Sequence, residues 1–179
     1  MAEGWGIVNL CINLVLAGAT VFLAKKTSGL AASTEAMVKE SKESSQRELG
    51  VQTWLHLKER FDSMEMEKAR RELADDMERY SSIYHDDVQE TVLNLFEDIG
   101  TLYKLGLLHQ HLAGSTFSYH ACGWWECAQP YIAEERRMNS DDPSIFKDFE
   151  DFAATMKKRY PSVDNVKFLQ DELIVGLSE

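Results

Sequence analysis

The chain has 179 residues, 44% hydrophobic and 10% aromatic, and its 19 Lys and Arg stand against 30 Asp and Glu for a formal net charge of −11. So acidic a chain offers no broad basic face to phosphates, which sets nucleic acid aside as a partner. Three Cys in this length do not make a disulfide framework and suit a reducing compartment.

The first element is the uncharged run from Gly4 to Ala24, GWGIVNLCINLVLAGATVFLA. As a helix it measures roughly 30 Å, the thickness of a bilayer hydrocarbon core. No Lys or Arg precedes it and Lys25-Lys26 close it, the reverse of a secretory signal. Residues 1–26 are therefore expected to be a transmembrane anchor. Lys25, Lys26, Lys39 and Lys42 place the C-terminal side in the cytoplasm, giving a single-pass inner-membrane protein with its N-terminus out. Gly6, Asn9, Asn13, Ala17, Thr20 and Ala24 share one helix face of small or polar residues. That face suits helix–helix association in lipid, with a second copy or another membrane protein, the alternative being that two Asn near one end of the helix are tolerated by reaching the headgroup region. The expected partners are thus the bilayer itself and whatever packs on Asn9, Asn13 and Ala17.

Residues 27–50 hold few apolar positions. Leu30, Thr34, Met37, Ser41, Ser44 and Glu48 start as a heptad series and decay into polar residues, so a solvated stalk or juxtamembrane helix is expected. Residues 51–179 form the domain proper, and they show helical spacing in successive blocks with no strand-like alternation. Trp54, Leu57, Phe61 and Met64 lie on one stripe, continued by Leu73, Met77 and Tyr80, with the charge-rich centre SMEMEKARREL facing solvent. A turn over Ser81–His85 precedes a capping-box-like Asp87 and Glu90. The helix they open buries Val88, Val92, Leu95, Phe96, Ile99, Leu102 and Tyr103, and Gly106 suits its C-terminal cap. From about Gln110 the series Phe117, Ala121, Trp124, Ala128 and Tyr131 follows, with Pro130 expected to kink or restart the helix. Asp142-Pro143 reads as an N-cap and first helical residue for a helix that buries Phe146, Phe149, Ala153, Met156 and Tyr160. A short last helix spans Val163 to about Val175. The fold class is all-α: a transmembrane helix, a polar stalk and a cytoplasmic antiparallel helical bundle.

Two stretches, LNLFEDIGTLYKLGLL (Leu93 to Leu108) and GWWECAQPYIAEER (Gly123 to Arg136), carry a family resemblance. Their order, an apolar-Phe-Glu start, a Gly-containing amphipathic helix and a Trp-rich helix ending in Pro-Tyr-Ile, resembles the bacterial family called domain of unknown function 4760. The likeness covers roughly Trp54 to Tyr160. It implies a helical architecture and, from the many similar members with an N-terminal membrane helix, an anchor. It implies no activity.

Chemistry is sparse. His85-Asp86, with His56 upstream, resembles the pair used by metal-dependent phosphohydrolases, but metal ligation would need further ligands converging on it, and Asp is wanted there as a cap. Arg79 and His85 match the Arg-then-His spacing of helical ribonucleases, where Arg stabilises phosphate charge and His acts as acid or base. A chain with eight Arg and five His meets so loose a spacing by chance, and its acidity disfavours RNA. His109, His111 and His120 complete no ligand set, so no metal and no cofactor is expected. Glu97, beside the core residue Phe96, is the carboxylate that most invites a buried or partner-facing role, although a solvated helix edge is the ordinary fate of such a residue. Trp124 and Trp125 are adjacent and cannot face one core, so one of them is expected to reach solvent, a partner or the membrane surface, which makes the pair the best hint of a partner site in the cytoplasmic domain. The functional expectation is a membrane-anchored scaffold or interaction subunit, for instance of a bacterial defence or stress assembly. The alternatives are a membrane-tethered ribonuclease using Arg79 and His85 and an oligomeric membrane effector.

Overall fold

The computed structural model describes residues 3–80, 86–159 and 164–175, and the side chains within them except those of 3–15, 31–32, 79–80 and 86–89. Among the described residues the structure is entirely helical. In order come α1 (Glu3–Phe61), α2 (Met64–Tyr80), α3 (Asp86–Lys104), α4 (Gln110–Met138), α5 (Lys147–Arg159) and α6 (Asn165–Leu173). The chain divides into two compact units, Met1–Ser45 and Gln46–Glu179.

The first unit is the long first part of α1, and every side chain described in it is exposed. Thr20, Thr27 and Thr34 each donate a hydroxyl to the carbonyl four residues earlier, which satisfies their polar groups within the helix. The expectation of a membrane anchor does not hold: among the described residues no helix is long and apolar enough to cross a membrane. The first charges after the uncharged run are Lys25 and Lys26. Beyond them the helix runs on unbroken through Glu35, Lys39, Glu40, Lys42 and Glu43 instead of ending at an interface. The single-pass topology, the inner-membrane location, the bilayer as partner and the membrane effector are corrected with it. The side chains of Asn9 and Asn13 lie outside the described residues, and Ala17 is exposed.

The second unit holds the core. Leu57 and Phe61 enter it from the end of α1, which stops at Asp62-Ser63, where Ser63 Oγ accepts from Met66 N at 3.2 Å and starts α2. The stripe read across this junction is therefore broken. Met64 is 85% exposed, while Met66, Ala69 and Arg70, from the stretch expected to face solvent, are buried. α3 supplies Val92, Leu93, Leu95, Phe96 and Ile99. It ends as its sequence suggests: Gly106 takes φ 69°, and the N–H groups of Gly106 and Leu107 reach back to the carbonyls of Tyr103 and Leu102, the Schellman pattern. α4 runs through Pro130 without interruption, burying Phe117, Trp124 and Ile132.

α5 begins at Lys147, several residues after the expected Asp142-Pro143 start. Asp142 Oδ1 does accept from Ser144 N at 2.8 Å, but this closes only a turn. Ser140, Asp141 and Phe146 all adopt positive φ, and Phe146 at 53° separates that turn from the helix.

Candidate functional site

With no local cap in place, α5 takes its cap from α3. Glu97 Oε2 accepts from Phe149 N at 2.7 Å and Oε1 from Asp148 N at 3.3 Å. A carboxylate at a helix N-terminus satisfies orphan donors and opposes the positive end of the dipole. Burial pushes the Glu97 carboxyl above its ordinary range, against the pull of the two backbone donors. Gly100 makes the approach possible: a Cβ there would lie 2.2 Å from Asp148 O. Asp148 then accepts from Thr101 Oγ1 at 2.9 Å and from Lys104 Nζ at 2.5 Å. The Lys104 ammonium holds its carboxyl below the usual range. Glu97 is thus half-buried and engaged inside the domain, and every polar atom named at this joint has a partner.

A second polar joint lies between α2, α4 and α6, and its balance differs. Glu172 of α6 is 1% exposed; its Oε1 sits 3.1 Å from His120 Nε2 and its Oε2 3.4 Å from Arg70 Nε. The Arg70 guanidinium also lies over the Phe61 ring, 4.0 Å from its centroid. Burial pulls Arg70 below its ordinary range while the Glu172 charge pulls it back. Around these pairs, Arg70 Nη1, His120 Nδ1 and Trp124 Nε1 are buried without a hydrogen-bond partner, as is Asp76 Oδ2 further along α2. Orphaned buried polar atoms cost about 1–3 kcal/mol each, so such a cluster calls for a reason. Phe168 fills the apolar side, edge-on to Trp124 at 5.0 Å, and Tyr119 donates its hydroxyl to Asp171 Oδ2 at 2.7 Å.

The third feature is a cleft of about 410 Å³ between the end of α1, the start of α2 and the first half of α3. It is lined by Arg60, Ser63, Glu65, Met66, Glu90, Thr91 and Asn94. Arg60 Nη1 donates to Asp98 Oδ2 at 2.9 Å, which balances its charge and leaves Glu65 and Glu90 to set the sign of the cleft. Glu65 lies in the first turn of α2, a position that the helix dipole favours for a carboxylate.

The residues singled out in the sequence fall in various places. Trp124 is fully buried; Trp125 is half-buried with its ring edge-on to Phe149 at 5.3 Å. Arg79 and His85 lie outside the described side chains, and the membrane-tethered ribonuclease falls with its tether. His109 caps α4, its Nδ1 accepting from Leu112 N at 3.4 Å, while His56 and His111 are exposed. Among the described residues no three His, Cys, Asp or Glu converge as metal ligands. Burial pushes the Cys122 thiol up and the Cys127 thiol up to about 11, which keeps both protonated and unreactive near neutrality. Arg70 and Glu172 were missed because nothing local marks them. They stand 102 positions apart, and each reads as an ordinary solvated charge on its own helix.

Among the described residues, six helices, a core of aromatic rings and two polar joints make up an all-α fold. The chain belongs to the family Domain of unknown function (DUF4760), whose profile matches residues 7–156. No curated protein matches it. No solved structure matches it either. The family match ends at Met156, within α5, so α6 lies beyond it.

Proposed function

We propose that the second unit is a recognition domain for a cationic group, an amine or guanidinium, received in the cleft between α1, α2 and α3. The observation that carries this reading is the coincidence of the cleft with the charge of the chain. The first unit has four Lys and four Asp or Glu, so the whole net charge of −11 resides in residues 46–179. Residues 59–98, which include every cleft residue, hold 13 Asp and Glu against five Lys and Arg. A concave polar site within a field of one sign concentrates ligands of the opposite sign. Exposed Glu65 and Glu90 supply the carboxylates, and Asn94 supplies a neutral acceptor that fixes orientation.

Butylguanidinium and its neutral isostere butylurea test this, with binding read by NMR titration of the full chain. The cation is expected to shift resonances around Glu65 and Glu90 while butylurea leaves them unmoved. The double variant Glu65→Gln, Glu90→Gln is expected to bind at least tenfold more weakly, and Asp141→Asn with Asp142→Asn to bind as the wild type does. Equal binding of butylurea, or an unchanged double variant, would refute the reading.

A further inference from the structure

The joint that holds α6 has the anatomy of a receptor groove with a ligand in place. α6 has nine residues, too few to be a stable helix by itself, so it is helical because it is docked. Two of its side chains are fully buried, Phe168 and Glu172, four apart on one face. Phe168 lies over Gly123, where a Cβ would come within 2.4 Å of its ring, so α4 carries a niche shaped for an aromatic side chain. One turn further along α6, the carboxylate meets Arg70 and His120. The floor of the groove is therefore an aromatic niche beside a buried cationic group, an exception within an acidic domain.

Two further observations separate the groove from its occupant. α2 and α4, which build the groove, lie inside the family match, and α6 lies outside it. The fit of α6 is also incomplete. Arg70 Nη1, His120 Nδ1 and Trp124 Nε1 keep unpartnered donors or acceptors while α6 is in place. A buried ion pair of this kind contributes little net stability, because desolvation offsets the attraction. We propose that the α2–α4 groove is a receptor for an amphipathic helix bearing an aromatic residue and, four positions later, a carboxylate, and that α6 occupies it as an intramolecular stand-in. The partner is a protein segment of that pattern. It gains access when α6 opens as the least stable cooperative piece of the second unit, and it binds in the helix-in-groove mode. The proposal is independent of the cationic cleft.

The test uses the full chain and a fluorescein-labelled peptide of residues 164–175, DNVKFLQDELIV. Glu172→Gln in the chain keeps the shape of α6 but removes its charge, so the free peptide, which keeps its Glu, competes better. Fluorescence anisotropy is expected to show at least tenfold tighter binding to the Glu172→Gln chain than to the wild type. A peptide carrying Phe168→Ala is expected not to bind. Hydrogen exchange on the unmodified chain gives a second readout that needs no variant: α6 amides are expected to exchange at least tenfold faster than those of α4 around Phe117–Trp124. Equal protection of α6 and α4 would overturn the proposal, as would peptide binding that ignores Phe168 or Glu172, or no peptide binding at all.

Discussion

The two short C-terminal helices are held in opposite ways. α5 is capped across space by Glu97, sits against Gly100, and has its Asp148 carboxylate shared between Thr101 and Lys104. α6 has its own local cap, Asp164, whose side chain accepts from Val166 N and Lys167 N. It then buries a charge against Arg70 and His120 with donors left over. One helix depends on the domain for its start and is fully satisfied there. The other starts independently and is imperfectly satisfied. Complete pairing fixes an element in one place, whereas a buried cluster with spare donors leaves it exchangeable.

Substitutions at the two close-approach glycines probe that contrast most strongly. Gly100→Ala drives a methyl into the backbone of Asp148, which cannot yield without moving α5. Overpacking of this kind costs about 1–3 kcal/mol, and backbone contact places it at about 3, read as a lowered urea midpoint for the whole second unit. Glu97→Ala is expected to cost about 1–2 kcal/mol by removing the cap, with exchange rising first in the opening turn of α5. Gly123→Ala meets a side-chain ring on a helix that can leave. The global urea midpoint should therefore fall by less than about 1 kcal/mol, since Ala also favours the α4 helix, while α6 amides lose their protection. If Gly123→Ala proves as costly globally as Gly100→Ala, the contrast between the helices is gone.

The smallest effect is expected from Asp148→Asn. Lys104 holds the folded Asp148 carboxyl below its unfolded value, so its stabilisation is present above the ordinary aspartate range and is lost as pH falls through the depressed value. Wild type and variant should differ in urea midpoint at pH 7 and converge at low pH. A gap that persists in acid would mean that shape, not charge, holds α5.

Much of the second unit was legible because its signals are local. The stripe Val92, Leu95, Phe96 and Ile99 is buried as its spacing indicates, and Gly106 ends α3 where a left-handed residue is wanted. What misled was local information overruled from a distance. Asp142-Pro143 carries a sound helix-start signal, yet the turn it makes leads into Phe146 at positive φ, and the true start is set by a carboxylate 52 positions upstream of Phe149. Met66 and Arg70 sit in a charge-rich run that reads as a solvated face, because the core that covers them comes from other helices. Glu97 stands out beside the core residue Phe96, but the backbone donors that explain it lie 51 and 52 positions away, outside any window of sequence. The N-terminal run misled in another way. Its uncharged length matched a bilayer, but among the described residues no helix satisfies that requirement.

Gly123 has a further consequence, for relatives of this chain. A glycine in the middle of a helix weakens it, and at position 123 the Phe168 ring passing close to the backbone supplies the reason to hold one. Once α6 is absent from a lineage, position 123 is released to the alanine that a helix prefers. Relatives without an aromatic segment of the α6 kind are therefore expected to hold alanine at this position, and glycine kept there without such a segment would break the link.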